Sequence, residues 1–198
     1  HEQQKRFIRL LQSVDEYPLA ESQAIAVMEA VIDWLDSDDE LTGLDGAERY
    51  FYESNDYAPA NQAFSAVSEL RLLRHITPEL YAALLPHVTV LPAVTSMNVN
   101  TISTTLLRTI NEGGLLNPLS LSEAETMAAA RGQHGYQGLT DFIAAGPFAA
   151  SDRVSRQGLS VNSEYFWVYA ESQIVQQRRK MTRLLRRHEG KVSALIRR

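Results

Sequence analysis

The stretch that decides the fold class is RKMTRLLRRHEGKVSALIR, residues 179–197. Basic and apolar residues mix on either side of His188-Glu189-Gly190, which is the spacing of a β-hairpin between strands at 179–187 and 191–197. Shortly before it, YFWVYA at 165–170 is aromatic and β-branched, a composition that favours strands. We therefore predict that the chain ends in an antiparallel sheet of about three strands.

The residues before this sheet have the patterns of helices. Thr77 followed by Pro78 is a helix start, because threonine caps well and proline suits the first helical position. Ser122 and Glu125 have the spacing of a capping box, before a helix that stops at Gly132. Apolar spacing and breaks predict further helices at 4–14, 21–36, 47–56, 64–74, 102–111 and 140–145.

Helices followed by strands predict an α+β fold, with a helical domain at 1–150 and strands at 151–198. The chain of 198 residues has no cysteine, which excludes a disulfide scaffold, thiolate metal sites and cysteine nucleophiles. No apolar run approaches the roughly 20 residues that span a bilayer. The chain begins at His1 rather than Met, so we expect a fragment or processed form that lacks its natural N-terminus.

Charge is distributed unevenly along the chain. Nine basic residues against Glu189 alone give residues 176–198 a net charge of +8, so the remainder carries −13 within the total of −5. Such a tail is compatible with binding to nucleic acid or to an anionic membrane. Because its basic residues alternate with apolar ones, solvent-facing strand positions explain it better.

Carboxylates are concentrated between residues 29 and 56, where Arg49 is the only cation. A hard divalent cation such as calcium, with roughly six to eight oxygen ligands, would neutralise their repulsion. The run Asp36-x-Asp38-x-Glu40 begins like an EF-hand, but Leu41 replaces the required glycine. A calcium loop of another kind and a solvated acidic turn both remain open. The ten carboxylates are Glu29, Asp33, Asp36, Asp38, Asp39, Glu40, Asp45, Glu48, Glu53 and Asp56; we call residues 36–46 the acidic loop.

A nucleic-acid-binding function is the alternative that the sequence suggests. Asn98-Val99-Asn100-Thr101, followed by two helices, echoes helix-hairpin-helix proteins, which present glycine amides to DNA phosphates. The connection here, NEGGLLNP at 111–118, is long and lacks a Gly-x-Gly hairpin. The negative charge outside the tail also opposes binding to a polyanion. We keep a helix-hairpin-helix protein with a basic tail as the second hypothesis.

Enzymatic activity is not expected. None of the five histidines lies in a catalytic motif, and the chain has no GxSxG, HExxH or P-loop sequence. Paired carboxylates occur only around the acidic loop, where holding a cation is the more economical interpretation.

Several short motifs together resemble the type II secretion pseudopilin K family. Each motif is weak alone, but their order and spacing are specific and cover about residues 7–198. They are DWLDSD at 33–38, GAE at 46–48, Tyr57, Asn61, Phe64, SEL at 68–70, Tyr81, LLP at 84–86, Leu91-Pro92, NVNT at 98–101, ARG at 130–132, Gly135-Tyr136 and Phe142.

The resemblance implies a structural minor pseudopilin at the tip of the secretion pseudopilus. Its fold would be a helical domain of helix-hairpin-helix or SAM-like helices inserted in a pseudopilin antiparallel sheet, with the hydrophobic N-terminal pilin helix missing. The protein would be periplasmic, and anchored in the inner membrane through that helix before assembly. Expected partners are the I-, J- and H-type minor pseudopilins and secreted substrates, and not nucleic acid.

The resemblance also implies calcium in the helical domain. Asp36, Asp38 and Glu48 match motif positions of the family, and Asp33 does too, although Asp33 could instead brace its helix beside a buried Trp34. Asn61 could contribute its side-chain oxygen. We therefore predict a calcium site formed by these five polar residues: Asp33, Asp36, Asp38, Glu48 and Asn61. Asp39, Glu40 and Asp45 match no fixed position and are expected to be solvated.

Overall fold

The chain folds as a series of short helices followed by a three-stranded sheet. The computed structural model describes residues 1–54 and 56–197. This architecture confirms the α+β class. The elements are α1 Glu2–Leu11, α2 Glu21–Leu35, α3 Arg49–Glu53, a 3-10 helix Val67–Leu72, α4 Pro78–Leu84, β1 Met97–Asn98, α5 Thr104–Leu107, α6 Leu121–Ala130, α7 Leu139–Ala144, a 3-10 helix Ser151–Arg153, β2 Leu159–Ser160, β3 Tyr165–Ile174, β4 Gln177–His188 and β5 Lys191–Arg197.

The first half of the chain encloses one hydrophobic core. Leu11 of α1, Trp34 of α2, Tyr52 of α3 and Leu80 of α4 are all buried in it. The start of α4 is the predicted one, because the backbone N–H of Leu80 donates to Thr77 Oγ1 at 3.2 Å. This core positions the end of α2 and the start of α3, and therefore the two ends of the acidic loop.

A second core lies between residues 99 and 161. Leu107, Met127 and Phe142 from α5, α6 and α7 are buried there, together with Val154 and Leu159. β1 and β2 add a short parallel pair that the sequence did not suggest. The division into domains at residue 150 stays a prediction. Among the described residues, no helix combines the length and apolar character needed to cross a membrane.

The two cores are joined through a buried arginine on α1. The Arg9 guanidinium is fully buried, and its five N–H groups donate to Glu2 Oε1 and to the carbonyls of Thr109, Glu112 and Leu115. A guanidinium has five donors, so every one of them is satisfied. Helix α1 is therefore fixed to the segment between α5 and α6.

The C-terminal sheet has the strand order β3-β4-β5 and is antiparallel throughout. The predicted hairpin is confirmed: His188 pairs with Lys191 around a two-residue turn. Both turn residues, Glu189 and Gly190, have positive φ, as such tight hairpin turns require. Leu184 is fully buried, and its register partner on β3 is Trp167.

The basic residues of the tail lie along β4 and β5, as the strand interpretation expects. The Arg178 side chain pairs with Glu171 across the sheet, with 2.7 Å between Nε and Oε1. The guanidinium of Arg187 lies over the Phe166 ring, 5.4 Å from its centroid. Part of the tail's charge is therefore used within the sheet. Arg198 lies outside the described residues.

Three of the predicted helices are shorter by several residues in the structure, and the one predicted at 47–56 covers only Arg49–Glu53. The region predicted as a helix at 64–74 contains only a 3-10 helix at Val67–Leu72. The Glu69 carboxylate accepts the backbone N–H groups of Ser65 and Ala66, which fixes the start of this helix. The helix predicted over 102–111 covers only Thr104–Leu107, and it is capped by Ser103, whose Oγ accepts the backbone N–H of Leu106.

The capping box of α6 was predicted at the wrong pair of residues. Ser120 and Glu123 form it: Glu123 N donates to Ser120 Oγ at 3.3 Å, and Ser120 N donates to Glu123 Oε2 at 2.8 Å. The predicted pair, Ser122 and Glu125, has the same spacing but lies inside the helix. Spacing alone cannot separate two serine–glutamate pairs that are two residues apart.

Candidate metal centre

The acidic loop connects α2 to α3, and two carboxylates of α2 fasten it. The backbone N–H groups of Leu44 and Asp45 donate to Glu29 Oε2, at 3.2 and 2.8 Å. The backbone N–H of Thr42 donates to Asp33 Oδ1 at 3.0 Å. The carboxylates at the two ends of the loop are therefore held at defined positions.

Three of the five predicted residues are brought together by this geometry. Asp36, Asp38 and Glu48 each offer a carboxylate oxygen within 4.8 Å of the other two. Calcium binds its oxygen ligands at about 2.3–2.6 Å, so two ligands on one ion are separated by at most about 5 Å. The spacing of the three oxygens therefore fits a single calcium ion.

Two of these carboxylates also lack hydrogen-bond donors. Asp36 Oδ1 and both oxygens of Glu48 are buried and have no donor among the described residues, and Glu48 is only 5% exposed. A buried carboxylate without a partner is costly, so such groups are normally paired or coordinate a metal. Asp38 differs, since its Oδ1 accepts the backbone N–H of Glu40 at 3.0 Å and its side chain is exposed.

The raised pKa values of Glu48 and Asp36 show that their ionised forms are destabilised in this site. The pKa of Glu48 is raised to about 7, chiefly by burial and then by the negative charges of Asp33 and Asp36. The N–H of Arg49 favours the ionised form without reaching hydrogen-bond geometry. Burial, followed by the charges of Asp38 and Asp33, also raises the pKa of Asp36. A cation among these groups would reverse both shifts.

The other two predicted ligands, Asp33 and Asn61, also carry buried oxygens without a donor from the described residues. Asp33 is fully buried, and its Oδ2 has no donor within the described part of the chain. Asn61 donates its backbone N–H to the Trp34 carbonyl at 3.0 Å, which places it beside the end of α2. Its Oδ1 is likewise buried without a donor in that part. Both residues therefore present a free acceptor oxygen close to the acidic loop.

Buried aromatic rings pack together next to Asp33 in the sequence, at the end of α2. Trp34 is 2% exposed, as predicted, and its ring lies 5.2 Å from that of Tyr52 in an edge-to-face contact. The ring of Tyr57 lies 6.4 Å from that of Trp34. Asp33 and Asn61 are thus attached to rigid parts of the first core.

The remaining acidic residues divide into two groups. Asp39, Glu40 and Asp45 are exposed, and Asp39 forms an ion pair with Arg49 at 3.6 Å. The role of Glu29 as the anchor of the loop was not predicted. It follows from contacts 15 and 16 residues away in the chain, which no local motif indicates.

The Asn98-x-Asn100 motif has a structural role in this chain. The Asn100 side chain donates to the carbonyls of Tyr136 and Val161 and accepts the backbone N–H of Tyr136 at 2.7 Å. In the connection between α5 and α6, the backbone N–H of Gly113 donates to the Arg153 carbonyl. That glycine amide is therefore already engaged and is not presented to a phosphate.

Comparison with known proteins places these features in one family. Two family models, both described as type II secretion system (T2SS) protein K, match residues 1–93 and 97–162. The chain is 33% identical over 196 residues to type II secretion system protein K of Pseudomonas aeruginosa, covering 98% of this chain and 56% of the relative. It is 32% identical over 198 residues to the protein K of Klebsiella pneumoniae, covering 97% of this chain and 58% of that relative.

The fold is similar to a solved structure as well. A chain in the crystal structure of the GspK–GspI–GspJ complex from the enterotoxigenic Escherichia coli type 2 secretion system aligns with a TM-score of 0.71 and 24% identity. The alignment covers 98% of this chain and 69% of that chain. The sequence described here spans somewhat more than half the length of the two relatives named above.

Proposed function

This chain belongs to the type II secretion system protein K family, and we propose that it acts as a structural minor pseudopilin at the tip of the secretion pseudopilus. The observation that carries the proposal is the similarity over 98% of the chain to a curated protein K, together with the matching fold. The role is one of assembly rather than catalysis. It would support the transport of folded proteins across the outer membrane from the periplasmic side.

The sheet supports the view that part of a pseudopilin fold lies outside this sequence. β3 and β5 are the edge strands, and the outer side of each has no partner strand among the described residues. Exposed strand edges are normally covered or paired. We infer that further strands and the hydrophobic N-terminal helix complete the sheet. The helical part, with helix-hairpin-helix or SAM-like helices, would then be an insertion into it, and the helix would anchor the protein in the inner membrane before assembly.

The size of the helical part is our argument for a position at the tip of the filament. A pilin-like filament grows by stacking subunits through their N-terminal helices and adjacent sheets. All seven α-helices of the described chain, from Glu2 to Ala144, precede the sheet and form a large additional body. A subunit carrying that body would obstruct the next one, so it fits only at the end of the filament.

The partners that we propose are the other minor pseudopilins, of the I, J and H types, and possible contacts with secreted substrates follow from the tip position. The similar E. coli chain comes from a complex with GspI and GspJ. The test is a pull-down of the full-length protein with the I- and J-type pseudopilins of the same organism. Co-purification of all three is expected; failure of the full-length protein to bind either partner, or its incorporation along the filament shaft, would contradict the proposal.

We further propose that the site formed by Asp36, Asp38 and Glu48 holds calcium. The supporting observation is the convergence of three carboxylates, two of them with buried oxygens that no described residue satisfies. Asp33 and Asn61 would contribute through their own unsatisfied oxygens. Bound calcium would neutralise the carboxylates and brace the acidic loop between α2 and α3, so its role would be stability of the helical part.

A further inference from the structure

A second feature of the acidic loop lies on its outer side. Leu41, Leu44 and Tyr50 are 63%, 97% and 92% exposed, although large apolar side chains normally avoid water. They line one cleft of about 700 Å³, together with Phe51 and Arg74. Clefts of about 300–1,000 Å³ are of the size that binds ligands, and clustered exposed apolar side chains mark interaction surfaces.

The loop presents these side chains rigidly. Leu44 lies at its tip, yet its backbone N–H and that of Asp45 are both bonded to Glu29. On the following side, the Arg74 guanidinium donates to the Gly46 carbonyl at 2.9 Å. Leu44 is therefore exposed on a segment that is fixed on both sides. A backbone already held in place loses little conformational freedom when a partner binds.

Gly43 shows that the backbone is built for this arrangement. It has a φ of +64°, and a Cβ added to it would collide with the Glu29 carboxylate. Only glycine combines this backbone conformation with such a close approach. The residue directly before Leu44 is thus fitted to the anchor that holds the loop.

The charge of the cleft selects the partner. Asp39 and Glu53 are exposed acidic residues of its lining, and Asp39 is also ion-paired with Arg49 at 3.6 Å. Arg74 is the cation of the lining, but it is already bonded to Gly46 and stacked 5.2 Å from the centroid of the Phe51 ring. Exposed apolar side chains next to acidic ones complement an apolar group beside a positive charge.

We propose that this cleft docks a segment of another protein that presents an aliphatic or aromatic side chain next to a lysine or arginine. The apolar side chain would cover Leu44 and Tyr50, and the cation would face Glu53. Tyrosine is among the residues that most often dominate binding at such surfaces. The inference uses neither the family membership nor a bound cation, since hydrogen bonds within the chain hold the loop.

The test is a binding titration with a fluorescein-labelled peptide, Gly-Lys-Phe-Lys-Leu-Gly, at near-physiological salt. Two control peptides replace the lysines by glutamates or the apolar residues by serines. We expect saturable binding of the first peptide with a Kd below about 1 mM, and binding at least about tenfold weaker for both controls. In NMR spectra, the shifted backbone amides should include those of Gly46 and Phe51.

Matched variants locate the site. Leu44→Ser with Tyr50→Ser should weaken binding at least about tenfold, while Val94→Ser, which alters a residue that is 96% exposed elsewhere, should leave it unchanged. These changes remove exposed atoms, so the melting temperatures should be preserved. Glu53→Lys is an independent check, because it should weaken the lysine peptide and strengthen the glutamate peptide. Equal binding of all variants, equal binding of the acidic peptide, or no saturation would overturn the proposal.

A second copy of this chain is the competing occupant. The β3–β4 turn offers Ile174 and Val175, which are 74% and 86% exposed, followed by Arg178 and Arg179. Sedimentation velocity of the chain alone separates the two cases. A monomer at all concentrations agrees with a different protein as partner. A dimer that is lost both with Leu44→Ser and with Arg178→Ala/Arg179→Ala would show self-association instead and overturn our choice of occupant.

Discussion

Thr42 donates its backbone N–H to Asp33 Oδ1, and this bond leaves the second oxygen of Asp33 fully buried without a donor from the described residues. The same carboxyl group thus fastens the acidic loop and offers a free acceptor close to Asp36 and Glu48. Gly46 permits this arrangement, because a Cβ at that position would collide with Asp33 Oδ2. The loop and the candidate metal centre therefore depend on one side chain, and the first prediction addresses it.

Asp33→Asn keeps the acceptor for Thr42 but removes a negative charge from the site. If Asp33 contributes to the calcium site, calcium should bind at least about tenfold more weakly to the variant, or about 1.4 kcal/mol. The pKa of Glu48 should fall in the metal-free variant, since the charge of Asp33 is one of the causes that raise it. Calorimetry and NMR titration measure the two effects; unchanged calcium affinity with a lowered pKa would make Asp33 a structural residue only.

Removal of calcium should destabilise the protein. A ligand that binds only the folded state adds about 2.7 kcal/mol when its free concentration is 100 times Kd. For a chain of this size, excess chelator should therefore lower Tm by about 5–10 °C, and added calcium should restore it. Asp36→Ala and Glu48→Ala should each reduce this effect, whereas Glu53→Ala should retain it. An identical Tm with and without chelator, and no metal by elemental analysis, would exclude the site.

The pH dependence of the metal-free protein should reveal Glu48. Its pKa is raised to about 7 in the folded state, so the folded form binds the proton more tightly than the unfolded form. Stability should therefore fall as the pH rises from about 4.5 to about 7, and then level off. Glu48→Gln removes this loss and should be more stable than the unmodified chain at pH 8 by about 3 kcal/mol, but not at pH 4.

Urea unfolding in chelator at the two pH values measures this difference. Glu53→Gln is the control, because that side chain is exposed and should alter stability equally at both pH values. In the unmodified chain, calcium should abolish the fall in stability between pH 4 and pH 8, because it favours the ionised Glu48 carboxylate. A Glu48→Gln variant that is less stable than the unmodified chain at pH 8 would contradict the assignment of Glu48 as a strained carboxylate.

The sequence predicted those parts of the fold that local patterns determine. The start of α4 at Thr77-Pro78 and the turn at Glu189-Gly190 each depend on a few adjacent residues, and both are confirmed. Of the five candidate ligands, Asp36, Asp38 and Glu48 lie close together because α2 and α3 hold the ends of a short loop. Calcium binding itself stays a prediction.

What the sequence did not predict depends on contacts between distant residues. Arg9 has an ordinary place in an amphipathic helix, and only the folded chain shows that its side chain reaches carbonyls 100 to 106 residues away. The anchoring role of Glu29 and the early end of the predicted 102–111 helix have the same origin. Periodicity and capping spacing carry no information on such pairings.

Replacing Arg9 should therefore be severe. Arg9→Met removes five hydrogen bonds and leaves the Glu2 carboxylate and three carbonyls without their buried donor, which should cost about 3–5 kcal/mol. Arg9→Lys has three donors and no planar fork, so it should recover only part of this loss. Arg156→Ala, at an exposed position, should change stability by less than about 0.5 kcal/mol. Similar urea midpoints for Arg9→Met and Arg156→Ala would rule out a stabilising role for the Arg9 hydrogen bonds.

Asn100→Asp gives the most specific test of the structural role of the Asn98-x-Asn100 motif. The Asn100 Nδ2 donates to the carbonyls of Tyr136 and Val161, at 3.0 and 3.2 Å. An ionised aspartate would place a negative oxygen against these two acceptors, so the variant should lose about 3 kcal/mol at pH 7, more than Asn100→Ala.

A protonated carboxyl can donate one bond there, so burial and repulsion should raise the folded-state pKa of the new aspartate. The variant should therefore regain stability as the pH falls below that pKa, whereas Asn100→Ala should show no such recovery. Urea unfolding of both variants from pH 7 to pH 4 decides the matter, because a parallel pH dependence would mean that the side chain does not bridge these segments.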